Sequence, residues 1–377
     1  MEKLRLGLLF GGRSVERDVS VVSARSILAA LDPSRYEISL LAVDPQGRWH
    51  LANADTDLLA VQEADCVILP PDPVSTTLVA AKAKSSSAPG SRIEATKLDV
   101  IFPIIHGRGG EDGALQGLLE LADVPYVGSG VLSSALQMDK DIAKRLLSLA
   151  GLPVTPWVNF SEFELESRGL PAAAQRAEAE IGFPVFVKPA NSGSSVGISR
   201  ADSIPELVAA LADARRYDRK VIVEAAVDGR EIEVAVLGND EPEASVPGEI
   251  RAAEAFYDYD AKYRDGATEL IIPAQLDAGQ ADAIRSTAIR AYQALGAEGM
   301  ARVDFLLDRE TGQFYVNELN SLPGFTDGSM YPKLWEASGL AYPALLDRLI
   351  ELALERHSAK SRLETAYRSG TPPTLSD

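Results

Sequence analysis

The sequence predicts an α/β protein that opens with a mostly parallel sheet and continues in α+β units. Three observations carry that expectation. Short apolar runs of strand length alternate with stretches whose apolar residues recur at helical spacing. Glycine-rich loops stand at the ends of several of these runs, where open α/β sheets gather ligands. The chain has 377 residues, 46% hydrophobic and 24% charged, enough for two or three globular domains.

The elements follow in order. Arg5–Phe10 is an apolar run ending in Gly11-Gly12, and Val19–Leu31 has helical spacing until Asp32-Pro33 stops it. Tyr36–Val43 and Leu98–Ile105 read as buried strands, Ala114–Leu121 as a helix, and Pro125–Val127 leads into Gly128-Ser129-Gly130. Residues 70–97, rich in Ser, Ala, Pro and Lys, read as an irregular connection. A helix over 131–150 is closed by Gly151 and Pro153. Val185–Pro189 and Val196–Arg200 read as strands flanking a Gly/Ser loop. Ser203-Ile204-Pro205-Glu206 then reads as a capping box before a helix to Arg216, followed by a strand at Val221–Glu224. Several strands from Arg230, a helix over Asp277–Leu295, a hairpin of Met300–Leu307 and Gln313–Leu319, and helices at Pro332–Ser338 and Tyr342–Arg356 complete the fold. The expected units are 1–128, 129–224 and 225–357, with 358–377 as a flexible tail.

Charge and composition narrow the function. Against 55 acidic side chains stand 37 basic ones, a formal charge of -18, which argues against nucleic-acid or membrane-surface partners. No run approaches the ~20 apolar residues of a membrane span, and the N-terminus enters a strand directly, so a cytoplasmic location is expected. The single Cys66 excludes a disulfide framework or multi-cysteine metal site, and His50, His106 and His357 make a histidine-rich centre equally unexpected.

The late hairpin is the most informative pattern. Arg302 and Asp304 share one face of their strand, and Glu318 and Asn320 one face of theirs. A turn centred on Thr311 converges all four, pairing Asp304 with Glu318 and Arg302 with Asn320. A centre between Glu310 and Thr311 pairs Asp304 with Asn317 and scatters them, and the sequence allows both registers. Facing carboxylates need a cation between them, and Asp, Glu and Asn oxygens suit Mg²⁺ or Mn²⁺ completed by phosphates. A solvated hairpin face with an arginine ion pair is the alternative.

Three loops add to this. Lys188-Pro189-Ala190-Asn191-Ser192-Gly193-Ser194-Ser195-Val196-Gly197 can fold N–H groups over phosphates, although it is no Walker A motif and a plain hairpin tip would look similar. Gly11-Gly12-Arg13-Ser14-Val15-Glu16 leads into a helix and lacks the G-x-G-x-x-G spacing of a dinucleotide site. The third, from His106 through Glu111 and Asp112 to Gly113, follows a strand end, where a lone histidine is more often structural.

With these loops in this order, the sequence resembles the D-alanine:D-alanine ligases of the ATP-grasp superfamily, over residues 3–356. The resemblance rests on the three loops together with Met138-Asp139-Lys140, Tyr257-Asp258-Tyr259, Ala261-Lys262-Tyr263, Glu318-Leu319-Asn320 and Leu322-Pro323-Gly324-Phe325. It implies an ATP-grasp architecture, with a Rossmann-like N-terminal domain and two α+β domains enclosing the nucleotide. By the same resemblance Lys140 and Lys188 contact phosphates, Glu224 with Ala225 to Val227 holds the adenine end, Glu231 binds the ribose, and Ser194, Phe256 and Lys262 also reach ATP. Asp304, Glu318 and Asn320 match ligands of two Mg²⁺ or Mn²⁺ ions. Glu16 holds the ammonium of a first D-alanine, His106 lies near it, and Gly324, Ser329 and Met330 contact the second.

The implied reaction is ADP-forming ligation of two D-alanines through an acyl phosphate, for peptidoglycan precursors, with Arg302 stabilising the tetrahedral oxyanion. By the same resemblance Glu16, Ser194 and Tyr263 would be linked by hydrogen bonds that close the segment Ala252–Ala267 as a lid, and a homodimer is implied. Asn320-Ser321 replaces the more usual Asn-Thr, and Asp327 stands close to the second site, so D-serine or D-lactate is the alternative second substrate. A ligase for another acid and amine, a non-catalytic nucleotide or amino-acid sensor and, last, a nicotinamide dehydrogenase are the rival readings.

Overall fold

The structure is a computed structural model describing residues 2–52, 65–73, 76–80, 96–193, 196–252, 268–326 and 328–364. It opens with β1 (Leu4–Gly11), α1 (Arg17–Ala30) and β2 (Tyr36–Val43). β1 pairs in parallel with β2 from Leu4↔Tyr36 to Gly11↔Val43, and its apolar run serves both faces of the sheet. β3 (Trp49–Ala52), β4 (Asp65–Ile68), β5 (Thr77–Ala80) and β6 (Thr96–Lys97) extend one edge, while β7 (Val100–Ile104) flanks β1 on the other side. The mostly parallel sheet expected from the sequence needs correcting. Among the described residues only β1 with β2 and β1 with β7 are parallel, and every pair from β2 to β6 is antiparallel. The added strands are only two to four residues long, and each pairs antiparallel with its neighbour, as closely spaced strands do. Two of them lie in the polar stretch 70–97 that read as irregular.

α2 (Ala114–Leu121) is followed by α3 (Val131–Met138) and α4 (Lys140–Leu149). The single helix expected over 131–150 is therefore broken at Asp139. Its backbone is extended, its carboxylate accepts the Ile142 N–H at 3.1 Å as N-cap of α4, and Lys220 Nζ lies 2.7 Å away. Aspartate is poor inside a helix and good at its start. β8 (Trp157–Ser161), α5 (Glu162–Arg168) and α6 (Leu170–Ile181) were not read from the sequence, although Ser161 and Glu164 form a reciprocal capping box.

β9 (Val185–Pro189), β10 (Ser199–Ala201), α7 (Ile204–Ala214) and β11 (Lys220–Ala225) complete an antiparallel sheet of order β10-β9-β11-β8. The strand expected from Val196 begins at Ser199, and the capping box expected at Ser203 is absent: Ser203 makes no side-chain cap, and Glu206 accepts the N–H of Asp202 at 2.8 Å.

The last unit contains β12 (Gly229–Gly238), β13 (Glu243–Ala244), β14 (Gly248–Ala252), β15 (Thr268–Ile271), α8 (Ala278–Ala294), β16 (Gly299–Asp308), β17 (Phe314–Asn320), α9 (Met330–Ala337) and α10 (Tyr342–Ser361). Its sheet runs β15-β14-β12-β16-β17, with β13 beside β12. One face, with Ile232, Val234, Val303 and Phe305, buries Leu147 of α4 and Ile284 and Tyr292 of α8. The other face changes character along its length. Leu237, Ala235 and Met300 join a core with Phe10, Phe102, Tyr331 and Leu345, whereas Glu233, Arg302 and Asp304 occupy the same face further along. The sheet is thus anchored by its apolar end to the sheet of β1 and β7 and presents charge beside it. Among the described residues no helix is long and apolar enough to cross a membrane.

Candidate active site

Both hairpin registers allowed by the sequence occur. Near the turn, Leu307↔Phe314, Leu306↔Tyr315 and Phe305↔Val316 follow the centre between Glu310 and Thr311; a bulge then shifts the ladder, giving Asp304↔Glu318 and Arg302↔Asn320. Asn317 is the extra residue, and without this bulge Asp304 would face it. The four polar residues are consequently brought together.

Their geometry is tight. Arg302 donates through Nε and Nη2 to the two Asp304 oxygens, each at 2.7 Å, and its Nε also lies 3.0 Å from Glu233 Oε2. Burial opposes the guanidinium charge, but Asp304 and Glu233 outweigh it and hold Arg302 well above its ordinary range. Asn320 Nδ2 donates to Asp304 Oδ2 at 2.8 Å, and Glu318 Oε2 lies 3.4 Å from Lys140 Nζ. Two carboxylates and an amide are hard oxygen donors, too few for a complete shell, and fit a hard cation that takes its remaining ligands from phosphate and water. Among the described residues no group of three or more His, Cys, Asp or Glu side chains is gathered to hold a metal by itself.

Opposite the hairpin stands a lysine cluster. Lys140, the first residue of α4, donates from Nζ to the Ser192 carbonyl at 2.7 Å, at the root of the Gly/Ser loop. Lys188, on β9, is paired with Glu224 Oε1 and lies 3.3 Å from Asn317 Oδ1. The second Glu224 oxygen takes Lys144 Nζ at 2.9 Å. Burial alone would raise the Glu224 carboxyl, yet the two ammonium groups bring it down to about 2. Glu231 is close enough to help raise Lys188, against the cost of burial. Past β11, the N–H groups of Ala225 and Ala226 are committed to Pro156 O and Pro184 O, whereas that of Val227 makes no backbone hydrogen bond among the described residues.

Glu16 lies against the Gly/Ser loop whose root Lys140 holds. A Cβ on Gly107 would stand 2.7 Å from its Oε2 and one on Gly193 3.0 Å, so two glycines make room for the carboxylate. Ser14 Oγ donates to the His106 carbonyl at 2.7 Å and accepts the Glu16 N–H at 3.2 Å, tying the first loop to the third. His106 is buried, and its Nδ1 donates to Leu322 O at 2.9 Å, which leaves Nε2 as an acceptor with no hydrogen-bond partner among the described residues. Burial, assisted by Arg302 and opposed by Glu16, lowers its pKa, so the ring is neutral. Glu111 accepts the Gly107 N–H at 2.5 Å, and burial together with Glu16 raises its carboxyl to about 8.

Next to Leu322, Gly324 closes on Ser329, with an added Cβ only 2.9 Å from its Oγ. That Oγ accepts the Thr326 N–H at 2.9 Å and shares a hydrogen bond with Thr326 Oγ1 at 2.8 Å, just before Met330 starts α9.

Of the expected site residues, contacts or close charges link Arg302, Asp304, Asn320, Glu318 and Lys140, then Lys188 with Glu224 and Glu231, and Glu16 with His106; Ala225 and Val227 follow Glu224 in the chain, and Gly324 meets Ser329 beside Met330. Ser194, Phe256, Lys262, Tyr263 and Asp327, and the lid with them, lie outside the described residues. Sequence reasoning missed Lys144, Glu233 and Asn317. Lys144 is four residues after Lys140 on one helix and Glu233 two after Glu231 on one strand, so periodicity pointed to both. Glu111 was quoted in its motif without a role.

Family models described as D-ala D-ala ligase N-terminus and C-terminus match residues 5–129 and 146–351. D-alanine–D-alanine ligase A of Escherichia coli K12 is 48% identical over 97% of this chain and 100% of its own. Among solved structures, the D-alanine-D-alanine ligase from Coxiella burnetii superposes with TM-score 0.83 at 36% identity, covering 96% of this chain and 97% of that one. The VanG D-Ala:D-Ser ligase of Enterococcus faecalis does so with TM-score 0.82 at 34% identity, over 93% and 100%.

Proposed function

The chain belongs to the D-alanine–D-alanine ligase family, and from that premise we infer how its own residues carry out the family's reaction. It is an ADP-forming ligase of ATP-grasp fold that joins two D-alanines, the activity of peptidoglycan precursor synthesis. A carboxylate oxygen of the first D-alanine attacks the γ-phosphorus of ATP and ADP departs, leaving an acyl phosphate. The amine of the second attacks the acyl carbon, loses a proton, and inorganic phosphate leaves.

The residue roles follow from chemistry and position. Glu16 takes the ammonium of the first D-alanine, and the open Nε2 of His106 accepts a hydrogen bond from the same end of the substrate. Lys140 and Lys188 neutralise phosphate charge that would repel the incoming carboxylate. Glu224 and the Val227 N–H receive the adenine edge, Ala225 shapes that pocket, and Glu231 takes the ribose. Arg302, permanently charged and held by two carboxylates, faces the oxyanion of the second step. Ser329, Gly324 and the Met330 backbone border the second D-alanine. Asp304, Glu318 and Asn320 would hold Mg²⁺ or Mn²⁺, two ions in all, which when bound supply further charge neutralisation on the phosphates.

By resemblance, Ser194, Phe256, Lys262 and Tyr263 complete the nucleotide site and the lid, which would keep water from the acyl phosphate. We further read the chain as three units, 1–128, 129–224 and 225–357, acting in the cytoplasm as a homodimer. D-serine and D-lactate are not favoured, because the relative at 48% identity is a D-alanine–D-alanine ligase while the D-Ala:D-Ser ligase shares 34%.

The observation that carries the residue assignment is the bulged hairpin: it sets Arg302 beside three oxygen donors and opposite Lys140 and Lys188. ADP release with D-alanine, L-alanine, or D-alanine mixed with D-serine or D-lactate tests the function. Release with D-alanine alone is expected; equal release with L-alanine, or none with D-alanine, contradicts it.

A further inference from the structure

Lys144 has been given no part in the reaction, yet it is among the most buried cations of the molecule. Its side chain is 2% exposed, as is that of Glu224, and its Nζ lies 2.9 Å from Glu224 Oε2 and 2.7 Å from Thr155 Oγ1. Thr155 Oγ1 in turn lies 3.3 Å from the same Glu224 oxygen. The opposite oxygen of Glu224 holds Lys188. One buried carboxylate therefore holds two cations directly, with Glu231 and Glu318 acting on Lys188 from further off.

The two lysines are not equivalent. Lys144 sits inside α4 with its ammonium enclosed by Glu224, Thr155 and the ring of Trp157, 5.9 Å from the centroid. Lys188 stands where β9 enters the Gly/Ser loop, between Glu224 and the metal-side hairpin, 3.3 Å from Asn317 Oδ1. Only Lys188 can turn from Glu224 to an arriving phosphate. Without another cation on Glu224 that turn would strand a buried carboxylate, a penalty of roughly a hundredfold or more in affinity.

We propose that Lys144 is a positioning residue of the nucleotide site: it is the resident counter-charge of Glu224, which lets Lys188 exchange Glu224 for the nucleotide phosphate. This rests on the ATP-binding reading above. In the nucleotide complex the buried pair is then Lys144 with Glu224, and Lys188 is paired by phosphate. Burial and the proximity of Lys188, opposed by Glu224, depress the Lys144 ammonium, in keeping with a repulsion that is relieved when Lys188 leaves.

The test compares ADP with adenosine, titrated calorimetrically with Mg²⁺ into the full-length protein, because only ADP draws on Lys188. The wild type should bind ADP more tightly. In Lys144→Met, Lys188 stays clamped on Glu224, so the ratio of ADP to adenosine affinity should fall by about tenfold or more while adenosine affinity changes little. A purely structural role would weaken both ligands alike and leave the ratio unchanged, which overturns the proposal. The double variant Lys144→Met with Glu224→Gln removes the clamp, and its ratio should return to the wild-type value. Should the single variant fail to fold, the double variant still decides: a lowered ratio there means that Lys144 acts on phosphate directly, and the proposal fails. Absence of ADP binding by the wild type would instead overturn the nucleotide reading itself.

Discussion

Replacing Arg302 with methionine removes the charge while keeping an unbranched chain of comparable reach. In the native site the guanidinium makes two 2.7 Å bonds to Asp304 and approaches Glu233 at 3.0 Å, with its side chain 18% exposed. Losing one preorganised oxyanion donor costs about 10²–10³ in turnover, or ~2.7–4 kcal/mol. The variant should therefore show a drop of that order in kcat, while ADP binding, which depends on Lys140, Lys188 and the adenine pocket, stays near wild type. There is also a cost to stability. Asp304 and Glu233 stand opposite each other on β16 and β12, and taking the cation from between them costs on the order of 3–5 kcal/mol. The two carboxylates are then left facing each other without their cation, so Mg²⁺ should restore the variant's melting temperature more than that of the wild type. Steady-state kinetics, ADP titration and melting curves with and without Mg²⁺ read all three effects. Turnover close to wild type would refute the role of Arg302 at the oxyanion. Equal losses of turnover and ADP binding would reduce it to a structural residue.

Other perturbations follow from the same geometry. Gly107→Ala adds a Cβ 2.7 Å from Glu16 Oε2 at a φ of +76°; it should raise the KM for the first D-alanine about tenfold or more and destabilise by about 1–2 kcal/mol, and an unchanged KM would remove Glu16 from the ammonium site. Glu111, raised to about 8 by burial and by Glu16, binds more protons folded than unfolded, so it stabilises the fold at low pH and loses that contribution as pH climbs from its ordinary value toward 8. Glu111→Gln should flatten that fall in melting temperature, and an identical pH profile would contradict the assignment. Ser329→Ala deletes the acceptor of the Thr326 N–H and should raise the KM of the second D-alanine more than that of the first, at a stability cost of about 1 kcal/mol; equal changes in the two KM values would count against its place at the second subsite.

Much of this was legible in the residues. Tyr36–Val43, Ala114–Leu121 and Val185–Pro189 have the boundaries their periodicity predicts, because turn or breaker residues bound each apolar pattern. Asp139 was not read as a break, since one aspartate inside an otherwise helical pattern becomes an N-cap only when its partners, the Ile142 N–H and Lys220, are in place. The hairpin shows the same limit more sharply. Face-sharing of Arg302 with Asp304, and of Glu318 with Asn320, follows from strand geometry, but their convergence depends on a bulge at Asn317 that no local composition marks. Pairing of Glu224 with Lys144 links residues far apart in sequence, and a helical lysine otherwise reads as surface.

This chain activates D-alanine as an acyl phosphate at the expense of ATP. D-alanine carrying a heavy oxygen isotope in its carboxylate tests it most directly, with the dipeptide, ADP and inorganic phosphate analysed by mass. Attack by the carboxylate on the γ-phosphorus requires that one labelled oxygen per dipeptide appear in the phosphate released. Dipeptide with unlabelled phosphate, or ATP consumption that does not depend on D-alanine, would contradict the account.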